Sequence, residues 1–361
     1  MNKIHSLYIH IPFCSHLCHY CDFTKLFYNK KFSEPYLKAL FDEIDSYHIG
    51  KMDTIYIGGG TPTALDDKEF ESLLKKVSPL LNPSGEFSIE ANVENLTLAK
   101  LELMKLYGVN RLSIGIESTS DKLLKEIGRH HTYKDAVNIV NLAKKYISNI
   151  NVDLMYGFPS ETINDLKTDI KNILKLDVDH ISIYSLIVSE GTLFHKKGIL
   201  EQEEDESRKY YDLILSELRK ASYERYEVSN YARGGKYSRH NLTYWHAQEY
   251  FGVGLGASGY VNGVRYENTK SLKNYLKGNY IDFKEKLTND QLLEEYLLCH
   301  LRLEKGFLRK DFKERFGKDF LEIFADKLTE HIKDKFVITK DSVHLTDDGL
   351  ITMDNILLAI L

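Results

Sequence analysis

Tyr8-Ile-His-Ile-Pro-Phe-Cys14-Ser-His-Leu-Cys18-His-Tyr-Cys21-Asp-Phe23 holds three of the chain's four cysteines and begins within a short alternating apolar run. The spacing C-x3-C-x2-C supplies three thiolates and no nearby fourth. A cubane of four irons held by three thiolates keeps one iron without a protein ligand, so an outside molecule can complete it. Structural zinc more often shows two C-x2-C-like pairs, or one pair followed by two histidines. His10, His16 and His19 nevertheless leave a Cys3His zinc site as an alternative. Nothing marks the chain as secreted, which argues against disulfides.

From the start to about residue 190, short apolar strands alternate with amphipathic helical stretches, the pattern of a parallel sheet with crossover helices. Strands are predicted at 6–11, 54–57, 86–90, 111–115, 151–155 and 180–186, and helices at 34–47, 68–80, 98–106, 133–146 and 163–174. Six such units predict an incomplete barrel. Polar residues gather at the strand ends, where a barrel places its active site. The cysteine loop follows the first strand and Gly58-Gly-Gly-Thr-Pro62 the second; Glu90-Ala-Asn92 ends the third and Gly115-Ile-Glu117 the fourth. Asp153-Leu-Met-Tyr-Gly-Phe-Pro159 and Tyr184-Ser-Leu-Ile187 close the fifth and sixth.

A helix is predicted at 205–221, followed by His240-Asn-Leu-Thr-Tyr-Trp245, which contains the only Trp, and by the glycine-rich run at 252–259. From about 289 the chain reads as helices, a hairpin at 336–346 and a last helix, a winged-helix-like pattern. Such a domain often binds DNA, but a net charge of -5 leaves no basic footprint for nucleic acid, so a lid or docking element is expected. Cys299 lies in an apolar helical run and reads as a core residue. The first twelve residues lack the pattern of a signal peptide, and no stretch approaches the ~20 apolar residues that span a bilayer. A cytoplasmic protein is predicted.

The cysteine loop resembles the cluster loop of the radical S-adenosylmethionine (SAM) superfamily, in which SAM's amino and carboxylate groups chelate the open iron. The residues after it narrow the resemblance to the anaerobic coproporphyrinogen III oxidase family and its haem chaperone HemW branch. The resemblance implies an α/β fold, a partial (β/α)6 TIM-like radical SAM barrel with a smaller C-terminal α+β winged-helix-like domain. The barrel would occupy residues 1–235, a connecting region 236–288 and the small domain 289–361. Cys14, Cys18 and Cys21 would hold a 4Fe-4S cluster, and Gly60 and Thr61 would meet SAM's amino group. Tyr8, Tyr20 and Ile187 would line the pocket, while Glu90, Glu117, Arg129 and Asp153 would bind SAM's amino acid and ribose. A carboxylate can accept from both ribose hydroxyls, and a guanidinium can pair with a carboxylate in a forked geometry. Glu117 departs from the family pattern, where Gln is usual, and lacks that residue's donor.

The chemistry so implied is one-electron reduction of SAM to methionine and a 5'-deoxyadenosyl radical, with an electron donor such as a flavodoxin or ferredoxin. The oxidase has a further Cys where Phe23 stands, and an N-terminal extension where this chain starts its first strand almost at Met1. His240-Asn241-x-x-Tyr244-Trp245 is similar to the HNxxYW motif of the chaperone branch, which implies haem and haem-acceptor proteins as partners and His240 as a haem ligand. Ser258 stands where many members carry His. Turnover of SAM and peripheral contact with a membrane are left open.

Overall fold

The computed structural model describes residues 4–361; the first three residues of the stretch read above as leaderless lie outside the described residues. Strand β1 (Ser6–Ile11) leads into a small parallel pair, β2 (Phe13–Cys14) and β3 (Leu26–Phe27), which brackets Cys18 and Cys21. Next come α1 (Lys30–Ser46), β4 (Met52–Gly59), α2 (Asp67–Val77), β5 (Leu81–Asn92), α3 (Leu98–Leu106) and β6 (Arg111–Glu117). They are followed by α4 (Asp121–Glu126), α5 (Tyr133–Ala143), β7 (Asn149–Tyr156), α6 (Ile163–Lys175) and β8 (His180–Ser185). Strands β1, β4, β5, β6, β7 and β8 pair in that order, all parallel, as the predicted six-unit partial barrel requires.

Alternation along the strands divides the sheet's two faces. Leu7, Ile9, Ile11, Ile55, Ile57, Phe87, Ile89, Leu112, Ile114, Val152 and Leu154 are all buried in the main core cluster with apolar side chains of the crossover helices. Burial of each such side chain stabilises by roughly 1.5–3 kcal/mol. The helices begin at well-made caps: Asp66, Thr132 and Thr162 each form a reciprocal capping box.

Strand β1 has its predicted bounds and β8 ends one residue early, whereas β4, β5, β6 and β7 run longer than predicted, because apolar periodicity marks the middle of a strand better than its polar ends. A larger difference concerns residues 236–288. After α7 (Leu193–Lys196), α8 (Glu204–Lys220), β9 (Glu224–Arg225), β10 (Asn230–Ala232) and α9 (Arg239–Trp245), the chain contributes β11 (Phe251–Val253) as a parallel edge strand beside β1. The main sheet therefore has nine strands, with β10 and β9 antiparallel on the far edge. A three-residue strand is too short for periodicity to reveal. Gly252 lets the next strand start against β11: a Cβ there would stand 1.8 Å from the Ser258 carbonyl oxygen. Strands β12 (Ser258–Val261), β13 (Val264–Asn268) and β14 (Ile281–Lys286) form a separate antiparallel sheet.

Residues from 289 onward carry a second core, dominated by Tyr296, Phe307, Phe312, Phe320 and Phe324. A three-stranded sheet of Phe307–Leu308, Ser342–Leu345 and Phe336–Ile338 stands against helices, matching the winged-helix-like expectation. Buried Arg225 joins this part to the barrel by pairing with Glu304 and Asp347. Among the described residues no helix is long and apolar enough to cross a membrane.

Glu43 on α1 fastens β11 and its ribbon to the barrel. Its fully buried carboxylate accepts from Gly254 N at 2.8 Å, Asn268 Nδ2 at 2.6 Å and the Tyr275 hydroxyl at 2.5 Å. Glu43→Ala strands these three donors and should lower the unfolding free energy by about 3 kcal/mol, read as a lower urea midpoint. An unchanged midpoint would show that the ribbon is held by other contacts.

Candidate functional site

The cysteine loop is tied down at several points. Gly60 N donates to Ile11 O and Thr61 N to Phe13 O, both at 2.8 Å, so the turn after β4 lies directly beneath it. Tyr28 N donates to Cys14 O at 2.8 Å and His19 N to Ile127 O at 2.9 Å, which brings in β3 and the end of α4. His10 bonds Thr24 O through Nε2 at 2.8 Å.

Gly59 and Gly60 are demanded by this packing. Gly59 has φ +109 and a Cβ on it would stand 2.5 Å from the His10 ring. At Gly60 the same atom would lie 2.8 Å from the Pro12 carbonyl carbon and 3.0 Å from Cys14 Sγ. The close approach expected of this turn is thus, first of all, an approach to the chain's own cysteine loop.

One cavity of about 420 Å³ is lined by Cys14, Cys18, Cys21, Tyr20, Gly60, Thr61, Glu90, Glu117, Arg129, Asp153 and Ile187. All the site residues proposed from the sequence therefore converge except Tyr8 and His240. Tyr8 stands one ring back, its centroid 6.2 Å from that of Tyr56, which does face the cavity. Ile187 and Phe23 are each 63% exposed, at the mouth.

Burial pushes the Cys14 thiol up to about 11 and raises that of Cys18. Iron cations reverse this, because a coordinated thiol is deprotonated outright. Among the described residues no three His, Cys, Asp or Glu side chains are arranged to hold a single metal ion. His10 and His19 already use ring nitrogens on backbone carbonyls. A cysteine trio along a cavity wall suits a four-iron cluster, three of whose irons would take one thiolate each, better than a Cys3His zinc ion.

The strand ends add carboxylates to the wall. Glu90 accepts from the Tyr56 hydroxyl at 2.7 Å and from Gly59 N at 3.0 Å, and burial raises its pKa. Asp153 accepts from Ser113 Oγ at 2.9 Å and Asn151 Nδ2 at 2.7 Å. Burial, then the neighbouring Glu117 and Glu90 carboxylates, push its pKa up to about 7. Glu117 sits on a bulge with φ +66 and pairs with buried Arg129. A non-glycine residue held in that region is strained, and such strain concentrates at functional sites. A sulfonium with an ammonium group and ribose hydroxyls fits these carboxylates in charge and in donor pattern.

His240 lies elsewhere. Helix α9 crosses the starts of β4 and β5, opposite the cysteine loop, and Glu86 accepts from the backbone N of both Arg239 and His240. The His240 ring is wholly buried, with Nδ1 bonded to Thr54 Oγ1 at 2.8 Å and Nε2 to the Tyr244 hydroxyl at 2.7 Å. Burial, then Arg111, pull its pKa down to about 3. In this conformation neither nitrogen is free for iron, in contrast to the expected open ligand. Its neighbour Asn241 is the motif residue that reaches the cavity. Cys299 is half-buried and does not line the cavity.

Sequence reading missed Tyr56, Arg111, Ser113 and Asn151 on the cavity wall, and quoted Asn92 and Asn241 only within motifs, without a role. For the four missed residues the signal was present: 56, 111, 113 and 151 alternate with apolar strand residues, so they share a face with the strand-end groups. Asn241 had no comparable signal, since it reaches the cavity from a helix remote in sequence.

Comparison with known proteins agrees with this architecture. Residues 8–173 match the radical SAM superfamily and residues 287–351 the HemN C-terminal domain. The heme chaperone HemW of Lactococcus lactis is 36% identical over 99% of this chain and 97% of its own length. That of Bacillus subtilis is 38% identical over 95% and 96%. The solved structure of coproporphyrinogen III oxidase (HemN) from Escherichia coli has the same fold, with a TM-score of 0.86 at 21% identity, covering 99% of this chain and 90% of that one. The chain belongs to the radical SAM superfamily and, within its HemN family, to the HemW branch.

Proposed function

We propose that this protein is a haem chaperone: it binds a 4Fe-4S cluster and SAM in the barrel cavity, takes up haem and hands it to acceptor proteins. The observation that carries the reading is the single cavity joining the three cysteines to the glycine turn and the acidic strand ends. Cys14, Cys18 and Cys21 would hold the cluster, which when bound offers an electron and one open iron. Gly60 and Thr61 would receive SAM's amino group. Arg129, released from Glu117, would receive its carboxylate, and Glu90 and Asp153 the ribose. Tyr20 and Ile187 would shield the ligand from water, with Tyr8 supporting through Tyr56. A flavodoxin- or ferredoxin-type donor would reduce the cluster.

Anaerobic reconstitution should give a brown protein with iron and sulfide in equal amounts. Cys14→Ala, Cys18→Ala or Cys21→Ala should each abolish this, whereas Cys299→Ala should not. Retention of iron and sulfide by a triple variant would place the cluster elsewhere.

Asp153 sets the expected pH dependence of SAM binding. Its pKa is raised from the ordinary carboxylate value to about 7. In the ligand-free protein its contribution to folding stability is therefore full below the unfolded pKa and lost as pH rises through about 7. SAM needs the ionised form, so its affinity should rise with pH up to about 7 and fall by up to tenfold per unit below. Equilibrium dialysis should show this slope in the parent and a shallower one in Asp153→Asn, where Glu90 alone titrates; the same slope in both would remove Asp153 from the site.

Haem uptake tests the chaperone reading itself. Ligation by His240 requires the Tyr244 hydroxyl to yield Nε2, so His240→Ala should weaken haem binding strongly and Tyr244→Phe should strengthen it. Unaltered uptake in both would make His240 purely structural. Coproporphyrinogen III incubated anaerobically with reconstituted protein and SAM should yield no protoporphyrinogen; its formation would favour the oxidase.

A further inference from the structure

Arg111 is among the largest wholly buried side chains, 2% exposed, at the start of β6. The other deeply buried arginines have partners: Arg129 pairs with Glu117, and Arg225 with Glu304 and Asp347. Among the described residues, Arg111 has neither an ion pair nor a side-chain hydrogen bond, and its buried Nε has no partner. A guanidinium cannot shed its proton, and an uncompensated charge in an apolar interior is costly.

Its neighbours do not pair with it: Glu90, the carboxylate that feels its charge, is engaged by the Tyr56 hydroxyl and Gly59 N. His180 uses Nδ1 on Asn151 Oδ1 at 2.6 Å and Nε2 on the Tyr226 hydroxyl at 2.8 Å, and both nitrogens of His240 are engaged as described. Arg111 does line the cavity that the cysteines line. So does Asn241, on the helix across the same end of the barrel, and its side-chain amide makes no hydrogen bond among the described residues. The cavity is thus polarised: three carboxylates at the strand ends, one of them paired with Arg129, and an unpaired cation beside a free amide at the strand starts.

We infer that Arg111 and Asn241 form a carboxylate receptor at the closed end of the barrel cavity, which takes a propionate of the haem. This rests on the chaperone reading and deepens it. A forked guanidinium–carboxylate pair supplies two charge-assisted hydrogen bonds, and Asn241 can donate a third. SAM, the other carboxylate in the cavity, is the competing source.

The test uses reconstituted full-length protein, titrated with haemin and with haemin dimethyl ester, whose propionates are masked, and dialysed against SAM. The parent should bind haemin at least tenfold more tightly than the ester. Arg111→Met should bring haemin down to the affinity of the ester and leave ester and SAM binding within twofold of the parent. It should melt at or above the parent temperature when ligand-free, because an unpaired buried charge is removed. If it fails to fold, Asn241→Leu carries the same comparison, with a three- to tenfold loss for haemin alone. Equal binding of haemin and ester by the parent overturns the receptor, as does a variant that binds haemin like the parent. Loss of SAM affinity with haemin unaffected assigns the carboxylate to SAM and overturns it equally. If the parent binds neither haemin nor ester, the chaperone reading itself fails.

Discussion

Side chains on a strand point alternately to opposite faces, and in this barrel the two faces have opposite chemistry. Outward positions of the six parallel strands are filled by Leu, Ile, Val and Phe packed against helices. Inward positions carry Tyr56, Glu90, Arg111, Ser113, Glu117, Asn151 and Asp153 around one cavity. Closed eight-stranded barrels fill their interior with bulky branched residues. Replacing that filling with polar groups opens a binding cavity and obliges the helix-facing side to supply the stabilisation.

The cysteine loop is held by a similar division of labour. Its thiols face the cavity while its backbone is paired to β3, to the turn after β4 and to the end of α4. Gly59 and Gly60 allow the turn to lie against His10 and Cys14, where a Cβ would collide. The loop geometry thus belongs to the packing of the whole strand end. Glu43, which anchors β11 beside β1, extends the support to the other edge.

Electrostatics complete the picture. Burial raises the cost of ionising the carboxylates at the strand ends, and their neighbouring carboxylates add to it, seen in the upward displacement of Asp153 and Glu90. A cationic ligand relieves that cost. At the other end Arg111 has the opposite need. A cavity with opposed charge at its two ends orients a ligand that carries both signs, or separates two ligands of unlike charge.

The sequence alone determined the cysteine trio, the six strand and helix units, and the strand-end groups of the cavity, because spacing, periodicity and turn chemistry act between residues close along the chain. Alternation along β6 and β7 also contained the lumen positions of Ser113 and Asn151. Tertiary structure alone decided that residues 251–253 complete the sheet, that His240 is sealed by Thr54 and Tyr244, and that Asn241 meets the cavity. It alone left Arg111 without a partner. Each of these outcomes depends on groups far apart in sequence: a histidine's free nitrogen or an arginine's missing anion is a property of its neighbours in space, which no local pattern encodes.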